Sequence, residues 1–486
     1  MNEMPPSIDL WPDSERGFHK EIRFSPSLTA LCLLVCVCGF VVLLWSVSAT
    51  EVELGITASR DLERLASRLL GFESRLSELS SLERGLFRLW GEVGDSQEQI
   101  REWYEELPHE QRNPLDELYA GILHGEAEVK TDLRQSMAMW GSEDPPLPTF
   151  RRFLEVGYLG NNGEHIDFDT LQARLAEEVP SNWFYYQLAK RLALQSGDQT
   201  LQESVRYQFQ LLTDPQLWKW RVLVILELTL GGIGFMYLVF LVSRWFRRRA
   251  DLTIEPENQR IASWTFHEGL AVLVRGGALS IVLIALVATI PYGIIMLEDY
   301  GSLLLYVPTV VLIMVLLCWP KKQSFLEVLG CQYPLRHLQT AFPILLGVTG
   351  LGLMGDWMIM FGGDWLDISA HWTEWFLPQL VWGSFPDLVK TTMEVVVLAP
   401  IFEEIIFRGL VFSTLRAKFG FSVSMIGSAM IFALAHGYGP MAFLTVFWSG
   451  LLWAWLYERT GSLVPGMCAH AINNGLVVYF LVGIFR

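Results

Sequence analysis

A disulfide framework is missing from this chain. Its six cysteines (Cys32, Cys36, Cys38, Cys318, Cys331 and Cys468) all fall in or beside long apolar runs, and the segment 51–217 has none, so no bridge pattern holds a secreted domain together. Cys32, Cys36 and Cys38 read as small packing residues of an anchor helix rather than as a metal site. Charge is scarce as well, at 18% of residues, and its basic share is smaller still, with 36 Lys plus Arg against 52 Asp plus Glu. A net charge of −16 repels phosphate and so excludes nucleic acid as a partner. The soluble zinc-protease signature is absent too: His109-Glu110 and His267-Glu268 lack a histidine at the required later position. No pair of glycine-interrupted half-repeats marks a carrier, which leaves proton-coupled transport a distant reading.

Apolar residues, by contrast, make up 51% of the chain, with 19 Trp. The runs lie at 28–49, 222–243, 270–296, 302–319, 338–361, 388–412, 421–436, 440–457 and 463–485. Their lengths predict about nine spans, with 421–436 the shortest. The first run exceeds the apolar core of a cleavable signal and reads as an uncleaved anchor despite the small residues Val47-Ser48-Ala49. Arg244, Arg247, Arg248 and Arg249 follow the second run, Lys321 and Lys322 the fourth, Arg416 and Lys418 the sixth, and Arg459 the eighth. These ends are expected in the cytoplasm. Glu298, Asp299, Asp364, Asp367, Glu374 and Asp387 occupy the alternate ends, which places the amino terminus inside and the carboxyl terminus outside. The expected fold class is all-α, a polytopic membrane helix bundle in a bacterial cytoplasmic membrane. Its parts are a cytoplasmic tail (1–27), an anchor (28–49), an acidic helical extramembrane domain (50–217), the second span with a basic loop (218–260) and a polytopic core (261–486).

Between the first two spans, residues 51–217 carry 30 Asp plus Glu and 16 Lys plus Arg, nearly the whole net charge of the chain. Leu62, Leu65, Leu69, Phe72, Leu76, Leu79 and Leu86 repeat at three- and four-residue steps and predict a long helix rising from the anchor, its seam packed against neighbouring helices of the same chain. Pro108, Pro114, the Pro145-Pro146-Leu147-Pro148 stretch and the Gly160–Gly163 turn break the remainder into shorter helices, and Trp183–Leu194 with its successor forms a helical hairpin. The size and placement of 50–217 point to a substrate-receiving or protein-partner-binding role.

Glu403, Glu404, Arg408, His436, His470 and Asn474 all lie within apolar segments of the last hundred residues. A charged side chain at a helix centre in a bilayer costs roughly 2.5 to 3.5 kcal/mol, so such a group is read as functional by default. At about 100° per residue, Glu404 and Arg408 share one helix face, one turn apart, as an ion pair does. Glu403 points elsewhere and is the candidate general base. Pro400, three residues earlier, loosens the backbone and opens a bend where water can enter. His470 and Asn474 are four apart on one face. Singly, each group has a bland account as a helix pin or a carbonyl partner. Together they supply a base, a second imidazole and an amide donor for hydrolysis by activated water. Glu227, Arg275, Asp356 and Glu394 read first as helix–helix contacts or interfacial groups, with Glu394 ranking highest for a role because it shares the helix of Glu403.

The patterns Glu403-Glu404-x-x-x-Arg408, Phe432-x-x-x-His436 and His470-x-x-x-Asn474 resemble the three signature motifs of the CPBP intramembrane proteases, the type II CAAX prenyl endopeptidase and bacteriocin-processing (Abi) family. Phe407-Arg408-Gly409 and the Tyr457–Leu463 turn add to the likeness, which covers about 385–480. What the resemblance implies is endoproteolysis of a membrane-associated protein or peptide within or beside the lipid bilayer. Glu403 and His436 would activate water. His470 and Asn474 would stabilise the oxyanion or complete a metal site, and Glu404 and Arg408 would organise the rest. A divalent metal such as zinc on Glu403, His436 and His470 and a metal-free glutamate–histidine scheme both fit these residue types, with a slight lean to the metal-free one. The alternative from another class is a non-proteolytic scaffold or regulator of the same fold that holds a partner. The external segment hints at a specialised client rather than at prenyl-protein maturation.

Overall fold

The computed structural model describes residues 22–49, 59–88, 96–107, 112–128, 130–140, 145–160, 166–246, 264–328, 330, 335–366, 368 and 376–486. Cys331, Pro108, His109-Glu110, Arg247–Arg249, Asp367, Glu374 and most of the Gly160–Gly163 turn lie outside them. Every regular element among the described residues is helical. The chain is an all-α polytopic bundle with a helical domain between its first two apolar helices.

The anchor is α1 (Pro26–Ala49), and the external domain follows as α2 (Ser59–Ser77), α3 (Ser81–Arg88), α4 (Ser96–Glu106), α5 (Pro114–Glu126), α6 (Lys130–Met139), α7 (Leu147–Leu154), α8 (Phe168–Glu178) and α9 (Trp183–Ser196). The heptad seam is present, with Leu62, Leu65, Leu69, Phe72 and Leu76 buried. The single long helix is not: it stops at Ser77. There Ser80 starts a second helix by accepting from the Glu83 N–H (3.3 Å) while its hydroxyl donates to the Glu83 carboxylate (3.0 Å). The seam packs inside the chain. Tyr119 stacks on Phe184 with centroids 4.1 Å apart. Asn182 caps α9 and donates to Glu63 (2.9 Å) and to the Tyr119 hydroxyl (3.0 Å). Gly197, at φ 71°, turns the chain in the left-handed conformation glycine favours and completes the expected hairpin with the next helix.

That helix, α10 (Gln199–Phe246), is 48 residues long, about 72 Å at 1.5 Å per residue, so it leaves the external domain and crosses the membrane without interruption. Next come α11 (Phe266–Thr289), α12 (Gly293–Leu312), α13 (Phe325–Val328) and α14 (Leu335–Leu366). α10 and α14 cross backbone to backbone. A Cβ placed on Gly234 would lie 2.3 Å from the Gly350 carbonyl carbon, so the approach exists because both positions lack a side chain. α15 (Pro378–Val381), α16 (Phe385–Met393), α17 (Ala399–Glu403), α18 (Ser413–Arg416), α19 (Phe421–Leu434), α20 (Pro440–Thr460) and α21 (Leu463–Phe485) complete the chain. Among the described residues, six helices are long and apolar enough to cross a bilayer, as a multi-pass membrane protein requires. Three of the nine expected spans fall outside that group: α1, the 14-residue α19, and 385–416, whose helix changes winding.

Within 385–416, residues 394–398 and 404–412 wind with i→i+5 hydrogen bonds on either side of α17. Pro400 accounts for the first widening, because it brings no N–H to the ladder. The Ala399 N–H bonds to Glu394 O instead. The Val395 carbonyl thereby loses its α-helical donor, and its i→i+5 donor would be Pro400. The domain of α2–α9 is fastened to α10, which is tied in turn to the end of α21. Arg221 pairs with Glu83 at 3.0 Å, Gln216 donates to Ile484 O at 2.8 Å, and Phe72 meets Trp220 edge-on. Arg486, at the end of α21, donates to Leu380 O (3.1 Å) and Gly383 O (2.9 Å).

Candidate active site

Glu404 and Arg408 form the expected pair. Nη1 of Arg408 donates to Glu404 Oε1 at 2.8 Å, and Arg408 is 0% exposed. Two uncompensated charges at this depth would be costly, and the surroundings lower that cost. Nη2 donates to Gly450 O at 3.2 Å, while the guanidinium lies 4.3 Å from the Phe432 ring centroid and 5.1 Å from that of Trp453. Glu404 Oε2 is accommodated because Gly466 has no side chain: a Cβ there would come within 3.0 Å of it.

His470 sits between the two carboxylates. Its Nδ1 is 3.3 Å from Glu404 Oε1 and its Nε2 is 3.7 Å from Glu403 Oε2. The imidazole lies flat on Trp453, centroids 4.1 Å apart and planes 21° apart, which holds the ring in this orientation. Glu403 and Glu404 thus leave the helix in different directions, as the 100° step requires, yet approach one imidazole from two sides. Glu403 is 7% exposed. Its Oε1 accepts from the Tyr306 hydroxyl at 2.6 Å, and its Oε2 is buried with no hydrogen-bond partner.

His436 lies in the turn after α19, where its Nδ1 is 2.8 Å from Phe432 O one turn back. A carbonyl oxygen only accepts, so this nitrogen carries the proton. In the neutral ring Nε2 then keeps its lone pair for a proton or a ligand. Phe432 joins the two imidazoles, its centroid 4.7 Å from His436 and 5.9 Å from His470.

Asn474 is turned aside. Its Nδ2 donates to Val395 O at 2.9 Å, the carbonyl orphaned by Pro400. One N–H of this amide therefore closes the helix break, and the other remains for a ligand. The structure brings Glu403, Glu404, Arg408 and His470 into direct contact, sets His436 beside them across Phe432, and places Asn474 on the backbone that carries Glu403.

As a resident metal centre the arrangement fits poorly. Both ring nitrogens of His470 face carboxylates, and Glu404 Oε1 is shared between Arg408 and His470. Among the described residues no three His, Cys, Asp or Glu side chains gather as a set able to hold a metal ion.

Tyr306, Ser302 and Trp453 carry no motif and were not singled out from the sequence. Ser302 and Tyr306 are four apart on α12, which places them on one helix face. That spacing was the available signal. Of the other polar groups in the spans, Glu394 accepts from the Ser302 hydroxyl. Arg275 donates to Ser25 O (3.1 Å) and the Thr29 hydroxyl (3.2 Å) and lies on Phe24, a helix–helix contact with the start of α1.

No match to the chain was found among curated proteins or among solved structures. Residues 385–476 match the family model Rce1-like, described as type II CAAX prenyl endopeptidase Rce1-like. The matched segment holds all six polar groups, Glu403, Glu404, Arg408, His436, His470 and Asn474. The likeness to the CAAX protease family read from the three motifs is thus shown over this segment, and it supports a protease in general.

Proposed function

We propose that this protein is an intramembrane endopeptidase that hydrolyses a peptide bond of a membrane-associated protein or peptide, of CAAX type or a related kind. The observation that carries the reading is the free Oε2 of Glu403, a buried carboxylate oxygen with no partner, 3.7 Å from an imidazole nitrogen. Its place is suited to a water molecule. Glu403 Oε2 takes a proton from that water as the water oxygen attacks the scissile carbonyl carbon, and later delivers it to the leaving amine as the C–N bond breaks. His436, with its Nε2 lone pair free, is the second group that orients the water. His470, when doubly protonated with Nδ1 directed at Glu404, donates from Nε2 to the carbonyl oxygen as it becomes negative. Arg408 and Glu404 hold His470 in register. Asn474 supports the break that presents Glu403, and its second N–H is available to the oxyanion.

The test uses full-length protein in lipid nanodiscs and a quenched fluorescent peptide ending in a farnesylated CAAX sequence, alongside membrane proteomes of cells carrying wild-type or variant protein. Glu403→Ala and His436→Ala are each expected to abolish processing, a loss of about 10²- to 10⁴-fold, while the protein still inserts. Full biological activity of cells carrying either variant would support the scaffold instead. Metal analysis and chelation separate the two hydrolytic schemes. Unchanged cleavage after chelation is expected, because His470 and Glu404 are already engaged with one another and with Arg408.

A further inference from the structure

Helix α12 lies outside the matched segment, yet it touches two carboxylates of the broken helix, Glu394 and Glu403. The Ser302 hydroxyl donates to Glu394 and, one turn on, the Tyr306 hydroxyl donates to Glu403 Oε1 at 2.6 Å. Tyr306 is held for this purpose: its ring stacks on Phe402, the neighbour of Glu403, with centroids 5.9 Å apart and planes 13° apart. A carboxylate in a cavity without such a partner rotates about its last torsion and presents either oxygen, since that torsion is broad. Here one oxygen is tied and the other accepts no hydrogen bond, with His470 Nε2 3.7 Å away, so the side chain has one oxygen to offer and a defined direction in which to offer it.

We propose that Tyr306 is the positioning residue of Glu403, a hydroxyl supplied by α12 that fixes the carboxylate so that Oε2 alone faces the reacting water. This rests on the reading of Glu403 as the general base. A hydrogen bond made only to pin two helices has no need of a second carboxylate oxygen held unbonded beside an imidazole nitrogen. The stacked Phe402, the short phenol contact and the idle second oxygen together select one rotamer. Substrate is not touched by Tyr306, which acts through Glu403.

Two measurements on purified full-length protein in nanodiscs decide the matter. Infrared difference spectra of wild type against Glu403→Gln isolate the Glu403 carboxyl band without any substrate. In Tyr306→Phe that band is expected to move, and an unmoved band overturns the proposal. On the farnesylated CAAX peptide, Tyr306→Phe is expected to lower kcat about 10- to 100-fold, the loss of one hydrogen bond to a charged group, with KM within a factor of two. Replacing Tyr306 with a series of fluorotyrosines should then grade kcat with the acidity of the phenol, which a packing role would not do. If Glu403→Gln cleaves normally, the base reading itself fails. If Glu403→Gln is inactive and Tyr306→Phe keeps wild-type kcat, only the positioning role fails. Should wild type leave this peptide uncut, the infrared band still decides how Glu403 is held.

Discussion

Two tyrosine–glutamate contacts, one in the external domain and one in the membrane, show how the same parts serve two ends. Outside, Tyr158 donates to Glu126 Oε1 at 2.8 Å, and Arg191 takes both oxygens of that carboxylate at 2.9 and 3.0 Å while lying over the Tyr158 ring. No acceptor is left over. Inside, Tyr306 takes one oxygen of Glu403, and the arginine that would close the cluster is committed to Glu404 and to Gly450 O. The first cluster joins α5, the turn after α7 and α9 as a closed tie. In the second, a buried acceptor stays open at a cost that folding alone gives no reason to bear. Stability favours the closed version, and chemistry needs the open one.

The sharpest way to break this contrast is to remove the arginine from each cluster. Arg408→Leu leaves Glu404 as an uncompensated charge in a fully buried place, and breaking one side of a buried pair costs about 3 to 5 kcal/mol. The expected outcome is loss of folded protein in detergent, read as yield of the monodisperse peak. Arg191→Leu, at a side chain 34% exposed, should cost no more than about 1 kcal/mol and leave cleavage untouched. Equal losses in the two variants would show that burial does not set the value of these pairs.

A smaller effect is expected at Asn474. Asn474→Ala leaves Val395 O without a donor, which costs about 1 to 3 kcal/mol for a buried carbonyl, and it frees the backbone that aims Glu403. Thermal stability should fall by that amount. Pro400→Ala should restore part of it, because an alanine N–H can again serve the ladder. No rescue by the second change would separate Asn474 from the helix break and return it to the oxyanion role alone.

Much of this core could be read from the chain before any coordinates. Glu404 and Arg408 declared their pairing by a four-residue step, His470 and Asn474 their shared face, and Pro400 its break. The rest was hidden for physical reasons. Tyr306 is 97 residues from Glu403, and a tyrosine in an apolar span has no periodic signature to reveal what it touches. The widened winding at 404–412 departs from the 100° step on which facing was judged. The resemblance gives Asn474 the oxyanion or a metal site, and its spacing reports a face and says nothing of a competing carbonyl. In the external domain the heptad seam was legible, while its end at Ser77 followed from Ser80 and Glu83, a capping pair that sits inside the repeat and does not disturb it.

The smallest expected effect lies in the closed region and depends on pH. His124, 9% exposed, has Nε2 3.4 Å from the Glu105 carboxylate. Burial pushes its pKa below the ordinary imidazole value, and Glu105 offsets only part of that push. In the unfolded chain the ring takes its proton near about 6.5, whereas the folded domain resists it to lower pH. Between those two values the unfolded state binds more protons, so stability is fully present above pH about 6.5 and declines as pH falls through that window. Melting of the full-length protein followed by circular dichroism should therefore show the external domain slightly weaker at pH 5.5 than at 7.5. His124→Gln, which cannot titrate, should flatten that slope, and an unchanged slope would place the sensitivity in the carboxylates. Because His124 lies in the external domain, away from Glu403, the variant should leave cleavage at pH 7.5 as it was. A loss there would mean that the contacts of Arg221 with Glu83 and of Gln216 with Ile484 O carry strain from the closed region into the open one.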